Sequence, residues 1–357
     1  MIILGIETSC DETALAIYDE NRGLLGHVLH TQLNQLTKHG GVIPEVAARY
    51  HIQYLTPLLI QLLTTHNLSL NDINFIAYTK GPGLIGSLLT GIAFAKSLSF
   101  GLKIPALGIH HLEGHLLACL INEANQTPVI GPQFPFLALL ASGGHTMLIQ
   151  ANSLGNYQII GETLDDAAGE ALDKTAKLLG INPPNGKELS KLADTCQNPE
   201  LFYFTRPLIH QKNLNFSFSG LKTAAMLKIK QFKSDDQTYK ADLAYAFQEA
   251  VMDTLVIKCR QALEITKLNQ LVIAGGVSAN SSLRNKLLNL SNNYSNNSPI
   301  KIFFPKLEFC TDNAAMIAFA GLMRAKQGYF DKNSDIVALP RWDLTFNYNN
   351  EYLSGEP

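Results

Sequence analysis

Two histidines four residues apart, His111 and His115 in Ile109-His-His-Leu-Glu-Gly-His115, are the strongest chemical signal in the chain. Residues at i and i+4 of a helix lie one turn apart on the same face, so both imidazoles can reach a single metal ion. Such a pair asks for a third ligand. The best downstream candidate is Asp312 in Phe309-Cys-Thr-Asp-Asn-Ala-Ala-Met316, a carboxylate at a helix entrance beside the capping types Thr311 and Asn313. Two histidines and one carboxylate with open positions suit one divalent ion, iron(II) favoured and zinc(II) allowed. The plainer alternative places the histidines on a polar helix face or hydrogen-bonded in a core.

Four further segments carry polar chemistry. Gly275-Gly276 follows an apolar run and precedes Ser278 and Asn280 at a helix entrance, which allows close backbone approach to a nucleotide, although many such turns only join strand to helix. Ser142-Gly-Gly-His145 offers converging N–H groups for an anion, or simply a tight hairpin. The acidic stretch Asp165 to Lys174 reads as a solvated helix face with an acidic first turn, while Asp173 is a candidate to accept hydrogen bonds from a ribose or an amino-acid head group. Asn215-Phe-Ser-Phe-Ser-Gly-Leu-Lys222 sets hydroxyls and a cation ahead of a helix, for substrate or as a cap.

The elements that must position these residues follow from periodicity. A strand from Ile2 to Glu7, a polar turn over Thr8 to Glu12 and a strand from Thr13 to Tyr18 make a hairpin with a hydroxyl-rich tip. A similar unit recurs from Phe136 to Gln150, so the spacing predicts an internal duplication. Between them lie a helix started by Pro44 and open to a kink at Pro57, a strand near Phe75 to Thr79, the turn Gly81 to Gly86, a packing helix from about Leu84 to Phe100, and a strand feeding the histidine helix. Helices are then predicted over 168–179, 188–195, 220–230 and 241–263, followed by a strand–turn–helix from Gln270 and a last helix associated with Asp312. This alternation predicts an α/β protein with mixed sheets covered by helices. The expected division is an N-terminal lobe over 1–132, a C-terminal lobe over 133–330 with a helical insertion at about 165–265, an Asn/Ser-rich loop over 291–298, and an extended tail over 331–357.

Composition narrows the classes. At 357 residues with 46% hydrophobic and 16% charged residues, the chain is long enough for two cores. Five scattered cysteines without C-x-x-C spacing point to reduced thiols and a cytoplasmic location. The N-terminus lacks the features of an export signal, and the apolar helix over 84–100 contains Lys96, so no membrane partner is expected. A formal net charge of -2 lacks the basic excess of an autonomous nucleic-acid binder, so a polyanion must meet a local patch or a partner's help.

Taken together, Gly5-Ile-Glu-Thr-Ser-Cys-Asp-Glu-Thr13, Gly40-Gly-Val-Ile-Pro-Glu45, Gly81-Pro-Gly83, His110-His-Leu-Glu-Gly-His115, Ser142-Gly-Gly-His145, Asp165-Asp-Ala-Ala-Gly-Glu170, Phe216-Ser-Phe-Ser-Gly-Leu-Lys-Thr223, Gly275-Gly-Val-Ser-Ala-Asn280 and Cys310-Thr-Asp-Asn313 resemble the bacterial TsaD family. Its members are tRNA N6-adenosine threonylcarbamoyltransferases, once classed as O-sialoglycoprotein endopeptidases. The resemblance runs collinearly to about Gly328. It implies the duplicated actin/Hsp70/sugar-kinase-like (RNase H-like) fold, with a nucleotide between the two halves. It also implies transfer of a threonylcarbamoyl group from threonylcarbamoyl-AMP to adenosine 37 of tRNAs reading codons that begin with A.

Carried over residue by residue, the resemblance puts His111, His115 and Asp312 at metal-ligand positions. Leu140, Ala141, Ser142, Gly143, Gly144, Asp173, Gly186 and Asn280 fall at substrate-binding positions, and Asp11 and Glu12 on the acidic turn that would relay a proton. AMP is the leaving part of the donor, and ATP is a further candidate ligand. The implied partners are tRNA, a TsaB-like paralogue, a TsaE-like ATPase and a threonylcarbamoyl-AMP synthase. The chain departs from the family at Pro183-Pro-Asn-Gly-Lys187, where Gly186 is kept among altered neighbours, and at Tyr50 and Ala314. Three other activities are alternatives: a metalloprotease, a small-molecule kinase of the same fold, and a non-catalytic nucleotide-binding scaffold. A zinc peptidase needs its glutamate directly after the first histidine, and Glu113 stands two positions on. A kinase leaves the histidine pair without a task.

Overall fold

The computed structural model describes residues 1–32, 43–124, 126–127, 129–231, 236–292 and 299–345. The chain divides into two compact units, one made of Met1–Gly131 with Asp312–Pro357, the other of Pro132–Thr311.

The first unit is built on a five-stranded sheet of order β3-β2-β1-β4-β5. Its strands are β1 (Ile2–Glu7), β2 (Glu12–Asp19), β3 (Gly23–Thr31), β4 (Phe75–Gly81) and β5 (Ala106–His110). β1, β2 and β3 form an antiparallel meander, and β4 and β5 add in parallel to β1. Near-continuous burial of β1, β4 and β5 matches their unbroken apolar sequence, as strands covered on both faces require. Helix α1 (Pro44–Thr65) starts with proline at its first position, where the missing N–H costs nothing, and runs on through Pro57. Its buried Ala47, His51, Leu55, Leu58, Leu59, Leu62 and Leu63 recur at helical spacing, and the five leucines share a core with Leu88, Ile92 and Ala95 of α2 (Ile85–Leu102). By length and composition alone α2 could cross a membrane. It packs against α1 and β4, with Lys96 buried in an ion pair to Asp331 at 2.6 Å.

The second unit repeats the plan. Strands β6 (Phe136–Ala141), β7 (Thr146–Ser153), β8 (Asn156–Glu162), β9 (Gln270–Ala274) and β10 (Lys301–Phe303) form a sheet of order β10-β9-β6-β7-β8. An antiparallel meander is again extended by two parallel strands. Strand for strand this is the connectivity of the first sheet, so the duplication expected from the two hairpins extends to whole sheets and the actin/Hsp70/sugar-kinase-like class holds. Its helices are α4 (Ala168–Leu178), α5 (Gly186–Ala193), α6 (Ser219–Gln231), α7 (Gln237–Thr266) and α8 (Ser281–Asn292). The segment expected as an insertion supplies much of this unit's core, including Phe216, Phe218, Phe247 and Leu255 beside Leu137 and Leu271 of the sheet.

Two expectations are corrected. Edge strands β3, β8 and β10 were absent from the sequence reading, because their half-exposed, Gly- and polar-interrupted sequences carry little periodicity. The closing helix α9 (Ala314–Ala325) belongs to the first unit and packs on β1, β2 and β4, so the expected C-terminal lobe over 133–330 does not hold it. Residues 331–345 form no helix or strand and are mostly exposed, anchored where Asp331 accepts from the Tyr78 hydroxyl at 2.8 Å and where Trp342 and Leu344 are buried. Gly40 to Val42 of one family motif, most of the Asn/Ser-rich loop and the tail beyond Thr345 lie outside the described residues.

Candidate metal centre and substrate-binding positions

Strands β1, β4 and β5 run parallel and end together, with Ile6 beside Tyr78 and Thr79 beside Ile109. Their carboxyl ends deliver Glu7, Thr79 and His110 to one edge, the place where open α/β sheets bind ligands. Helix α3 (His111–Leu117) starts there directly from β5. Nδ1 of His110 accepts the Leu112 N–H (3.1 Å) and caps α3, while its Nε2–H is left to donate to the Trp342 carbonyl (3.2 Å). With His110 so occupied, the next turn presents His111 and His115 on one face.

Asp312 meets both rings. Its Oδ1 lies 3.1 Å from His115 Nε2 and 3.4 Å from His111 Nε2. One ligand atom from each of the three residues lies within 4.8 Å of the others, so small side-chain rotations bring all three onto one ion. Asp312 sits two residues before α9 rather than in it. The helix is capped by Asn313, whose Oδ1 accepts the Met316 N–H at 2.9 Å. Burial opposes charge on His111, but the carboxylates of Glu7 and Asp312 outweigh it and raise its pKa well above the imidazole range. Burial likewise opposes charge on Asp312, and His111 and His115 hold its carboxyl far below the carboxylate range. These donors fit a divalent ion: two imidazole nitrogens and one carboxylate oxygen, with Asp312 partly exposed so that positions stay open.

The turn between β1 and β2 is clamped beside this cluster. His51 of α1 is fully buried, with Nδ1 2.8 Å from Thr13 Oγ1 and Nε2 3.0 Å from the Cys10 carbonyl. Ser87 of α2 donates to the same carbonyl, and Ser9 Oγ lies 3.2 Å from His111 Nδ1. Asp11 rides on this turn, and Glu12 opens β2 directly after it. Burial and the neighbouring charge of Asp11 push the Glu12 carboxyl up to about 7, and its buried Oε2 has no hydrogen-bond partner.

Glu113 is turned away from the cluster. It forms a buried two-pronged pair with Arg324 of α9, at 3.0 and 2.7 Å. No peptidase-type general base is therefore set beside the histidines by this residue.

In the second unit the expected substrate positions lie at the end of β6 and in the turn after it, within α4, and at the starts of α5 and α8. Leu140 and Ala141 are fully buried, so only their backbone can meet a ligand. Gly169, at the start of α4, and Gly275, with φ +84°, press on the end of β6. A Cβ at either would fall 2.5 or 2.4 Å from the carbonyl oxygen of Ser142 or Ala141. Gly143 and Gly144 face open space, whereas Ser142 Oγ already takes the His145 N–H at 3.1 Å and, at 3.4 Å, the Gly144 N–H. The expected nest is thus partly filled by its own serine. Asp173 accepts the Gly186 N–H at 2.7 Å, and burial raises its pKa. Asn280 caps α8 through the Leu283 N–H and donates to Gln248 at 2.9 Å.

The acidic stretch and the Phe-Ser-Phe-Ser motif turn out to be one joint. Asp165 accepts from the N–H groups of Phe218 (2.7 Å) and Ser219 (3.1 Å) and from the hydroxyls of Ser217 and Ser219. Asp166 binds Lys174 and Lys222 at 3.0 and 2.9 Å. Glu7 and Thr79, beside the candidate metal centre, carry no motif of their own. The available signal was an acid ending the otherwise apolar, buried strand Ile2–Glu7.

Comparison with known proteins gives this arrangement its context. The profile of a family described as TsaD, tRNA N6-adenosine threonylcarbamoyltransferase, matches residues 23–319. The chain belongs to this family. Relatives bearing that description include proteins of Methylobacillus flagellatus, 51% identical over 96% of this chain and 98% of theirs, and Nitrosomonas eutropha, 54% identical over 92% and 93%. A Legionella pneumophila relative is 49% identical over 96% of this chain and all of its own length. Among solved structures, T. kodakarensis HypF matches 94% of this chain and 49% of its own, with a TM-score of 0.59 at 12% identity. Component A of the Acidaminococcus fermentans (R)-2-hydroxyglutaryl-CoA dehydratase covers 91% and 99%, with a TM-score of 0.52 at 15% identity. At such identities these two speak for the fold alone.

Proposed function

We propose that this chain, as a member of a tRNA N6-adenosine threonylcarbamoyltransferase family, transfers the threonylcarbamoyl group of threonylcarbamoyl-AMP to N6 of adenosine 37, in tRNAs reading codons that begin with A. The observation that carries the reading is the meeting of His111, His115 and Asp312 within 4.8 Å at the sheet edge. These residues would hold one divalent ion, iron(II) or zinc(II), which supplies Lewis acidity toward an acyl oxygen when bound. An adenine amine is a poor nucleophile because its lone pair is delocalised, so the acyl group must come from an activated donor. N6 attacks the carbamoyl carbon, the bond to the AMP phosphate oxygen breaks, and one amine proton must leave. Glu12, with its carboxyl near pH 7, is matched to accept that proton, and Asp11 contributes by raising it.

Positions 140 to 144, Asp173, Gly186 and Asn280 are assigned to the donor. Leu140 and Ala141 would act through backbone, and Gly143 and Gly144 through the open space beside their Cα atoms. ATP is a candidate for the same positions. A single-stranded anticodon loop suits the acceptor role because its base can be unstacked.

The reading implies a cytoplasmic enzyme working with tRNA, a TsaB-like paralogue, a TsaE-like ATPase and a synthase that makes the donor. Its cysteines are all free, as a reducing compartment favours. Ile52 and Ile60 stand exposed on α1, which is where we place the paralogue.

Nucleoside mass spectrometry of tRNA from a strain depleted of this protein should show loss of threonylcarbamoyladenosine, restored by the wild-type chain. Unchanged modification in fully depleted cells would refute the assignment.

A further inference from the structure

We propose that Glu7 is the positioning residue of the metal centre: it holds the Nδ1 proton of His111 and so leaves Nε2 as the nitrogen that gives up its proton to bind the ion. The inference rests on the metal reading of His111, His115 and Asp312 given above.

Glu7 ends β1 and is fully buried. Its two oxygens are used differently. Oε1 accepts the Ser9 backbone N–H at 2.5 Å, while Oε2 accepts from Thr79 Oγ1 at 2.5 Å and lies 3.0 Å from His111 Nδ1. With the fixed Ser9 N–H and the rotatable Thr79 hydroxyl both donating to it, the carboxylate serves as an acceptor, so the proton between Glu7 and His111 belongs on Nδ1. Nε2 of the same ring faces Asp312 at 3.4 Å, the side where the ligands converge. Imidazoles that ligate metals commonly give their second N–H to a carboxylate in this way, which sets tautomer and ring angle.

The asymmetry of the two oxygens makes the idea sharp. In Glu7→Gln the Ser9 N–H can only be met by the amide oxygen, so the amide NH2 must occupy the Oε2 place and face His111. The ring is then driven to accept at Nδ1 and to carry its proton on Nε2, where it blocks the ion. The shape of the site is otherwise kept. A competing orienter is Ser9, whose Oγ is 3.2 Å from the same Nδ1.

Cobalt(II) and zinc(II) titrations of the metal-stripped full chain test this without any activity assay. We expect Glu7→Gln to weaken both by about ten- to hundredfold, and Ser9→Ala to stay within about threefold of wild type. In the zinc-loaded wild type, nitrogen NMR of the His111 ring should show a protonated Nδ1 and a metal-shifted Nε2, a readout that survives even if the variant folds poorly. Wild-type affinity in a folded Glu7→Gln chain, an equal loss in Ser9→Ala, or a protonated Nε2 in the loaded ring would each overturn the role of Glu7 while leaving the metal site standing. Absence of any divalent binding by the wild type would overturn the metal reading itself.

Discussion

At the scale of single residues, four positions invite direct tests. Removing both rings, His111→Ala with His115→Ala, should abolish stoichiometric metal by elemental analysis and lower transferase activity by more than about a hundredfold, since Lewis-acid stabilisation is worth several kcal/mol. Full metal occupancy in the double variant would dismiss the centre as assigned. Glu12 makes a pH prediction. Its folded carboxyl, at about 7, lies above the ordinary 4.5, so the folded state binds the proton more tightly than the unfolded one and loses stability as pH rises through that interval. Glu12→Gln removes the loss. Denaturant unfolding should find the variant's advantage growing from pH 4.5 to about 7 and level above it, whereas a pH-independent difference would contradict the perturbed carboxyl. Gly5 tests close packing: a Cβ there would lie 2.4 Å from the Ala314 carbonyl oxygen and 2.7 Å from the Ala318 Cβ. Gly5→Ala should cost about 1–3 kcal/mol as overpacking, visible as a lower Tm.

Between elements, the telling contact joins α3 to α9. The two helices carry the histidines and follow Asp312, and the Glu113–Arg324 pair locks them with both side chains almost wholly buried, at 0% and 1% exposure. Breaking a buried pair leaves one charge without its partner, so Glu113→Ala should destabilise by about 3–5 kcal/mol. Replacing both residues with apolar ones of similar volume should recover much of that, and a double-mutant cycle in urea measures the coupling. If Glu113→Ala unfolds at the wild-type midpoint, the pair does not hold the helices. This contact also accounts for a glutamate inside a histidine motif that lacks peptidase spacing. Its role is to tie the helix, and the chemistry of the cluster lies elsewhere.

For the molecule as a whole, charge governs the encounter with tRNA. With 28 Lys and Arg against 30 Asp and Glu, long-range attraction to a polyanion is weak, because phosphate affinity comes mainly from cation contacts and counterion release. The isolated chain should therefore bind tRNA more weakly, and with a shallower salt dependence, than a complex with its partners. Titrations at matched salt decide it, and equal affinity would mean that a local basic patch suffices. Much of this protein was legible from local pattern. Apolar runs, Pro44 and the glycine turns specify the central strands and most helices, and the i, i+4 histidines mark one helix face, because periodicity and backbone restriction act over a few residues. The edge strands escaped because half-exposed sequence has little pattern to read. Which polar groups are already engaged was also beyond local reach. Glu7 beneath His111, Arg324 on Glu113, and Asp165 bound into the Ser217–Ser219 turn are pairings across 104, 211 and more than 50 positions. The placement of α9 with the first unit was decided the same way, since burial against β1 and β2 depends on which surfaces meet in three dimensions and leaves no mark on the spacing of its own residues.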